Sequence, residues 1–338
     1  MTVTETETAS SLRELTYLGA VNEALHQIMA EDPDVFCAGE DVGANGGVFG
    51  SFGGLQAKYG ELRSVDTPIS EQAIVGLGIG AAVAGLRPVV DLMFMDFIMV
   101  AMDQIANQAA KLKYMFGGNA TLPLTITTNA GAGLSAAAQH SQSLEAMLAH
   151  VPGLKVVMPS NAHDAKGLLI ASIRDDNPVI YAKTKTLFGA KGPCPEELFE
   201  VPLGVANITR PGTDATIVTY GRMVGESLKA ASILSGEGID VEVIDLRTLQ
   251  PMDSEAIVAS VKRTNHCVVV HEAVRFAGMG AEIAAQIQEE AFDYLDAPIG
   301  RIAAPFSPVP FSPGLEGAYV PDAKRIAEGV RAAVARNS

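Results

Sequence analysis

The sequence predicts the α/β fold class, with two doubly wound domains in which helices cover the faces of mostly parallel sheets. The chain has 338 residues, and at roughly 150 residues per domain this length suggests about two hydrophobic cores. Short apolar segments rich in β-branched residues alternate with helix-length segments, a pattern typical of parallel sheets. The alternation stops between residues 183 and 202, where prolines interleave with glutamates.

The first half begins with a predicted amphipathic helix that has Thr16 as its N-cap and Pro33 just beyond its end. Strands are predicted at 35–38, 88–94, 122–128, 154–158 and 179–182. The helices between these strands are predicted at 70–84, 97–115, 141–150 and 162–174. This order predicts a mostly parallel sheet with helices on both faces.

The second half repeats the pattern on a smaller scale. Strands are predicted at 215–220, 241–245, 267–271 and 299–303, and helices at 224–234, 254–262, 281–291 and 323–335. Residues 305–313 contain four prolines and predict a rigid surface loop. We therefore expect a disordered tail at 1–12, a first domain at 13–190, a linker at 191–203 and a second domain at 204–338.

Composition excludes several classes of function. Lys and Arg total 24 against 39 Asp and Glu, so the net charge is −15 and disfavours binding to nucleic acid or to anionic membranes. No uncharged apolar run reaches the roughly 20 residues that span a bilayer, and the first residues do not resemble a signal peptide. The three cysteines are far apart and predict neither disulfides nor a zinc site. These features predict a cytoplasmic protein.

A dinucleotide-binding fingerprint, G-x-G-x-x-A, occurs at 76–81, with Asp96 about 20 residues further on. Such a fingerprint must follow a buried strand directly. Only three apolar residues precede these glycines, and Ser70 and Glu71 before them are typical of a helix start. A glycine-rich helix packed against its neighbours is the favoured interpretation, and an NAD-dependent dehydrogenase is the alternative.

Glu71, Glu40 and His140 are the residues most suggestive of chemistry. Glu71 heads an apolar segment that we expect to be buried, where a carboxylate costs several kcal/mol unless it is paired or protonated. A helix-capping or ion-paired glutamate explains Glu71 as well, and Glu40 after the first strand has the same two explanations. His140 lies in a glycine-rich loop after a strand, a suitable place for a functional imidazole.

An ordered set of motifs carries a resemblance to a known family, and it covers nearly all of the chain after residue 12. These motifs are TPISE at 67–71, GLRP at 85–88, DQ at 103–104, GG at 117–118, AQHSQ at 138–142, PGLKVV at 152–157 and DAKG at 164–167. The chain resembles the β subunit of the thiamine-diphosphate-dependent decarboxylating component of 2-oxo acid dehydrogenase complexes, a group that includes pyruvate, branched-chain and acetoin enzymes.

The resemblance implies a pyrimidine-binding first domain and a transketolase C-terminal-type second domain. In this family the glutamate at the position of Glu71 hydrogen-bonds the aminopyrimidine of the cofactor and starts its activation. Glu40 matches a cofactor-side carboxylate, Phe97 and Tyr114 match aromatic residues around the aminopyrimidine, and His140 matches an active-site histidine that orients the substrate or the lipoyl group. A potassium site built largely from carbonyl groups is implied at Leu124, Ser172, Ile173, Asp175 and Asn177.

The resemblance also implies that half of the active site comes from another chain. The Gly-Asp-Gly motif that holds magnesium and the cofactor's pyrophosphate is missing from this sequence. In the family an α subunit supplies it, within a heterotetramer of two α and two β chains that docks on a lipoyl acyltransferase core. The sequence leaves pyruvate, acetoin and branched-chain 2-oxo acids open as substrates. A two-chain transketolase without a lipoyl partner and a non-catalytic scaffold remain as alternatives.

Overall fold

The computed structural model describes residues 13–335, so the predicted tail at 1–12 lies outside the described residues. The α-helices are α1 (Tyr17–Glu31), α2 (Leu55–Tyr59), α3 (Glu71–Val83), α4 (Ala110–Met115), α5 (Glu145–Ala149), α6 (Ala162–Arg174), α7 (Met223–Ser235), α8 (Ser254–Thr264), α9 (Met279–Ala291), α10 (Pro313–Tyr319) and α11 (Ala323–Val334). The strands are β1 (Arg13–Thr16), β2 (Val35–Gly39), β3 (Ser64–Asp66), β4 (Arg87–Phe94), β5 (Thr125–Ala130), β6 (Lys155–Val157), β7 (Val179–Thr184), β8 (Lys191–Cys194), β9 (Asn207–Arg210), β10 (Ala215–Thr219), β11 (Val241–Asp245), β12 (Thr248–Gln250), β13 (Cys267–Val274) and β14 (Gly300–Ala304).

The first sheet has seven strands in the order β12-β6-β7-β5-β4-β2-β3. All of its neighbouring pairs are parallel except β12 with β6. Helix α1 begins after Thr16, whose side chain accepts a hydrogen bond from the Gly19 amide at 3.0 Å, as the sequence predicts. Helices α1 and α6 pack together on one face of the sheet in a continuous apolar cluster.

The second sheet has five strands in the order β14-β13-β10-β11-β9, with only β9 antiparallel to its neighbour. The two sheets are joined by more than the linker, because β12 follows β11 of the second sheet and pairs with β6 of the first. The predicted linker at 191–203 begins with β8, which pairs antiparallel with β1. One buried apolar cluster includes residues from both sheets, such as Ile126 and Val269.

The segment predicted as a single helix at 97–115 differs from that expectation. It is a 3₁₀ turn over Met95–Ala101, a π-helical stretch over Asp103–Ala109 and then α4. The hydrophobic period of the sequence is helical throughout, so the pattern does not distinguish these hydrogen-bond registers. A π-helical stretch inside a helix often marks a functional region.

The glycine-rich motif at 76–81 lies inside α3, as the favoured interpretation predicts, and it does not form a strand-to-helix turn. Gly78 faces the sheet, where a β-carbon would lie 2.8 Å from Leu124 Cδ1 and 3.0 Å from Val90 Cγ1. Gly76 and Gly80 face the other way, and a β-carbon on either would meet no atom within 4 Å. The motif therefore brings α3 close to the sheet and leaves its opposite face flat. Among the described residues, no helix has the length and apolarity needed to cross a membrane.

Candidate active site

The carboxyl edge of the first sheet positions most of the predicted site residues. Glu40 follows β2 directly, and Glu71 opens the helix that follows β3. Phe97 lies in the 3₁₀ turn after β4, and His140 lies in the loop after β5. Because these strands are parallel, their carboxyl ends meet at one edge, where open α/β sheets bind ligands.

Glu40 and Glu71 are both half-buried, and neither side chain forms a hydrogen bond or an ion pair with any other residue of the described part of the chain. Burial raises the pKa of Glu40, and the nearby charges of Asp41 and Glu71 raise it further. Two carboxyl groups without partners therefore lie near enough at this edge for the charge of one to affect the other. They leave hydrogen-bonding capacity for a ligand that donates N–H groups or accepts a proton.

The apolar surroundings of Glu71 differ from the prediction. Ile69 is 74% exposed and Leu77 is 45% exposed, so within the described chain only the sheet side of α3 is covered. Ala73, Gly76 and Gly80 are also exposed. The sequence pattern indicates an apolar helix, but it does not indicate that its outer face lacks a covering element in this chain. Water exclusion around Glu71 therefore requires a second surface.

His140 lies against two aromatic rings. Its ring centroid is 4.9 Å from that of Phe94 and 5.3 Å from that of Phe97, both in edge-to-face arrangements. The Lys185 ammonium donates a hydrogen bond to the His140 carbonyl and lies 5.1 Å from the Phe94 ring. Burial lowers the pKa of Lys185. The structure thus brings Phe97 and His140 together and fixes the backbone of the histidine.

The loop that leads to His140 is also held by carboxylates from the second sheet's domain. Glu272 of β13 accepts a hydrogen bond from the Ala132 amide at 2.6 Å. Glu316 of α10 accepts from the amides of Gly133 at 2.7 Å and Ser135 at 2.9 Å. Hydrogen bonds to charged acceptors are the stronger class. We call residues 131–140 the His140 loop, and these contacts attach it to the second domain.

Glu272 has an unusual environment for a carboxylate. Its burial raises its pKa to about 6, although the Arg222 guanidinium 3.6 Å away and the Ala132 amide favour its ionised form. Its Oε2 atom is buried and has no hydrogen-bond partner among the described residues. Arg222 also donates to the Ala132 carbonyl at 3.1 Å, so the guanidinium and the carboxylate hold the same peptide segment.

Asp96, which the dinucleotide fingerprint would place on a ribose, has a structural role here. It is buried in the 3₁₀ turn, and its Oδ1 accepts from the amide and the side chain of Gln142 at 3.2 and 2.9 Å. These bonds fix the chain just after His140. Together with the position of 76–81 inside α3, this contact contradicts the NAD-dependent alternative.

Tyr114 is not brought to this edge. It lies near the end of α4, is 85% exposed, and lines a cavity of about 440 Å³ together with Asn177 and Pro178. Residues 177 and 178 directly precede β7, so this cavity lies at the amino ends of the parallel strands. The π-helical stretch and α4 carry the chain away from the edge that holds Glu71 and Phe97.

The residues implied as a potassium site lie before β5 (Leu124), in the last turn of α6 (Ser172 and Ile173) and between α6 and β7 (Asp175 and Asn177). Oxygen atoms of three of these residues already have cationic partners. Arg87 Nη1 is 3.2 Å from the Ile173 carbonyl oxygen and 3.4 Å from that of Asp175. The Lys155 ammonium pairs with the Asp175 carboxylate, and Lys113 Nζ is 2.9 Å from Asn177 Oδ1.

The two remaining residues of this set are engaged as well. The Leu124 carbonyl accepts from the Val179 amide at 2.9 Å, and the Ser172 hydroxyl donates to the Leu168 carbonyl at 2.6 Å. These contacts engage the carbonyl groups of Leu124, Ile173 and Asp175 and the side chains of Ser172, Asp175 and Asn177. The implied potassium site stays a prediction.

The free carboxyl groups of Glu40 and Glu71, with the Phe97 ring at the same edge, fit a flat aminopyrimidine that offers N–H donors and a ring nitrogen. A site for the cofactor's metal is a different matter. Within residues 13–335, no group of three or more His, Cys, Asp and Glu side chains is placed to hold a metal ion.

Sequence reasoning missed Glu272, Glu316 and Lys185. Glu272 gave the same signal as Glu71, because it is a charged residue in a mostly apolar strand. All residues of this strand except the last are buried. Lys185 follows a buried strand and offered a weaker signal of the same kind. Glu316 lies in a short helix after the proline-rich loop, and nothing in the pattern around it distinguishes it from a surface glutamate.

Comparisons with known proteins agree with this geometry. Residues 13–190 match the family "Transketolase, pyrimidine binding domain", and residues 204–326 match "Transketolase, C-terminal domain". The β subunit of acetoin:2,6-dichlorophenolindophenol oxidoreductase from Cupriavidus necator is 49% identical over 94% of this chain and 97% of that protein. The β subunit with the same name from Bacillus subtilis is 45% identical over 93% of this chain and 95% of that protein.

Two further relatives widen the comparison. The pyruvate dehydrogenase E1 component subunit beta of Staphylococcus epidermidis is 45% identical over 95% of this chain and 99% of that protein. A solved structure titled "Split gene transketolase, inactive beta4 tetramer" superposes with a TM-score of 0.79 over 96% of this chain and 99% of that chain, at 22% identity, which supports the fold. The chain therefore belongs to the transketolase-type family of thiamine-diphosphate-dependent oxidoreductase β subunits that contains these acetoin and pyruvate dehydrogenase proteins.

Proposed function

We propose that this chain is the β subunit of a thiamine-diphosphate-dependent enzyme that cleaves acetoin or a 2-oxo acid such as pyruvate and transfers the acyl group to a lipoyl acyltransferase. One observation carries the proposal. Glu71 presents a carboxyl group without a partner at the carboxyl edge of the first sheet, where Glu40, Phe97 and His140 also lie.

Each of these side chains has a role suited to its position. Glu71 binds the aminopyrimidine ring nitrogen and holds a proton there, while Glu40 relays protons on the same side. The Phe97 ring packs on the flat heterocycle, and His140 orients the substrate or the incoming lipoyl group. When bound, thiamine diphosphate supplies the electron sink that makes cleavage beside a carbonyl carbon possible. Tyr114 has no part in this proposal because of its place at the other end of the sheet.

The proposal includes an α subunit that completes the site. The uncovered face of α3, with exposed Ile69, Leu77 and Val83, needs an apolar partner to exclude water from Glu71. The relatives from Cupriavidus necator and Staphylococcus epidermidis are themselves named as β subunits. We expect the α subunit to hold magnesium, the assembly to contain two α and two β chains, and the lipoyl acyltransferase core to bind this tetramer. Buried, unpaired cysteines suit a cytoplasmic location.

The test is co-expression with the α subunit encoded beside this chain. Turnover of acetoin, pyruvate and branched-chain 2-oxo acids is compared with thiamine diphosphate, magnesium and an artificial electron acceptor. We expect turnover only when both chains are present. The substrate with the highest kcat/KM identifies the natural class.

The same preparation separates the two-chain transketolase alternative. Acyl transfer to a free lipoyl domain is expected under the proposal, whereas transfer of a ketol group to an aldose with no reaction on the lipoyl domain would support a transketolase. A well-formed tetramer that turns over none of these substrates would exclude both.

A further inference from the structure

A second cavity, of about 650 Å³, lies at the carboxyl edge of the second sheet. Arg275 directly follows β13 and Pro305 directly follows β14, so the cavity opens where two neighbouring parallel strands end. The Arg275 amide donates to the Ala304 carbonyl at 2.9 Å and ties the two strand ends together. Ligands of α/β sheets bind at such edges, and the volume suits a small molecule.

Three guanidinium groups line this cavity, from Arg275, Arg301 and Arg325. Within residues 13–335, none of the three forms an ion pair with a carboxylate. Arg63 binds backbone carbonyl groups, and every remaining arginine of the described chain is paired with an Asp or Glu side chain. In a chain with a net charge of −15, three unpaired arginines at one site require a specific reason.

Regular elements position the backbone of two of these arginines, and one of the two also has a side-chain hydrogen bond. Arg301 is part of β14, and Arg325 is in the first turn of α11, where its Nη2 donates to the Ala303 carbonyl at 3.3 Å. The positive charge of Arg301 adds to burial in lowering the pKa of His271 to about 4. The positive charge of Arg301 therefore affects His271 in the interior of the domain, and no carboxylate of the described chain pairs with Arg301. Like charges that line one cavity repel each other, and a bound anion would offset this repulsion.

Two phenylalanine rings stand beside the arginines. Phe276 is 69% exposed and Phe306 is 75% exposed, and their ring centroids are 5.1 Å apart with the planes inclined at 52°. Exposed aromatic rings at the mouth of a cavity offer a surface on which a flat ring packs. Guanidinium groups bind phosphate oxygens with two hydrogen bonds each.

We propose that this site, which we call the arginine cavity (Arg275, Arg301 and Arg325 with Phe276 and Phe306), binds a phosphorylated ligand that carries a flat ring, of the nucleotide class. The arginines bind the phosphate oxygens, and the flat ring packs on the phenylalanines. The site lies in the other domain from Glu71, and the inference stands independently of the proposed function. A concave site of this size favours a small molecule over an acidic segment of a partner protein.

The test is a calorimetric titration of the full chain, alone and assembled with its α subunit, with ADP, pyrophosphate and adenosine as probes. Magnesium and thiamine diphosphate are omitted so that the first site contributes no signal. We expect saturable binding of ADP that weakens as salt is added, weaker binding of pyrophosphate, and binding of adenosine at least about tenfold weaker than that of ADP.

Variants assign the signal to the cavity. Arg301→Gln and Arg325→Gln are each expected to weaken ADP binding about tenfold or more, and Phe306→Ala is expected to weaken ADP but not pyrophosphate. The matched control is Arg331→Gln, because Arg331 lies on the same helix as Arg325 and pairs with Glu237. Circular dichroism establishes that each variant is folded.

Three results would overturn the inference. The first is the absence of saturable binding of ADP or pyrophosphate by the wild-type chain. The second is an equal loss of binding in Arg301→Gln and in the Arg331→Gln control. The third is binding that disappears when the α subunit is present, which would assign the arginines to contact with an acidic segment of that partner.

Discussion

Asp245 is a fully buried carboxyl group at the end of β11, at the point where the chain leaves the second sheet for the first. Burial raises its pKa to about 7, and the charge of Asp164 contributes to the rise. Hydrogen bonds from Ser160 and from the Arg247 amide, together with the Arg247 charge, oppose the rise without cancelling it. The junction between the two sheets therefore contains a carboxyl group that the fold favours in its protonated form.

This environment predicts the direction of a pH effect on stability. The folded-state pKa of about 7 is above the ordinary value of 3.8, so the contribution of Asp245 to the free energy of unfolding is greatest below about pH 4. It is lost as the pH rises through 7. We expect Asp245→Asn to stabilise the protein at pH 8 by on the order of 2 kcal/mol more than at pH 5, because most of the loss in the wild-type protein falls between these two pH values.

The measurement is urea unfolding of both proteins between pH 5 and 8. Asp240→Asn is the matched control, because Asp240 lies at the surface just before the same strand and pairs with Arg210. If the free energy of unfolding of Asp245→Asn varied with pH in the same way as that of the wild type, the inference that Asp245 is protonated at this junction would be contradicted.

The cations around residues 172–177 lead to a second prediction at this scale. Arg87, Lys113 and Lys155 bind oxygen atoms of Ile173, Asp175 and Asn177, three of the residues implied as a potassium site. We expect the melting temperature to be the same in potassium chloride, sodium chloride and choline chloride at equal ionic strength. A melting temperature that is several degrees higher only in potassium chloride would show that the ion binds despite these side chains.

At the scale of elements, the His140 loop is the part of the site that depends most on the second domain. The Glu316 carboxylate accepts hydrogen bonds from two backbone amides of this loop, those of Gly133 and Ser135. We expect Glu316→Ala to increase hydrogen exchange at these two amides by about tenfold, since each lost charged hydrogen bond is worth roughly 1.5–3 kcal/mol and water replaces part of it.

Exchange at the Ala132 amide, which Glu272 binds, is expected to change less and serves as an internal comparison. Glu328→Ala is the surface control, because Glu328 is an exposed residue of α11. If the amides of residues 133 and 135 exchanged at the same rate in the wild type and in Glu316→Ala, the inference that Glu316 attaches this loop to the second domain would be contradicted. In the assembled enzyme the variant is expected to lower kcat more than it raises KM, because the loop positions His140.

The helices and strands differ in how well the sequence predicts them. Strongly periodic helices such as α1 and α6 are predicted within a residue or two, because their apolar spacing and caps agree. The short strands β3 and β12 are missed, since three residues that pair at a sheet edge carry no period of their own. The structure brings Glu71, Glu40, Phe97 and His140 to one edge of the first sheet, and their roles there stay predictions. Tyr114 lies elsewhere because it follows the irregular helical segment, whose hydrogen-bond register the sequence pattern does not encode.

For the molecule as a whole, the exposed face of α3 indicates a surface that another subunit covers. Gly80 has a helical conformation and open space where a β-carbon would be. We expect Gly80→Ala to stabilise the isolated chain by about 0.5–1 kcal/mol, because alanine is the better helix former. The same methyl group is expected to weaken assembly with the α subunit, since it fills a flat surface that the partner approaches.

Chemical denaturation of the isolated chain and analytical ultracentrifugation of the mixed subunits measure these two effects. Gly238→Ala does not serve as a control because of its positive φ. Gly225→Ala on α7 is suitable, because a β-carbon there also meets open space. If Gly80→Ala and Gly225→Ala assembled with α equally well, the partner surface would lie elsewhere.

Under the proposed function, the unpartnered carboxyl group of Glu71 serves the cofactor in an enzyme made of two kinds of subunit. The most direct test is the turnover of the purified αβ assembly carrying Glu71→Gln, with Glu255→Gln, an exposed glutamate in the first turn of α8, as the matched control. We predict that Glu71→Gln assembles normally and loses at least about 100-fold in kcat, while Glu255→Gln retains full activity. A Glu71→Gln assembly that turns over substrate at the wild-type rate would contradict the account.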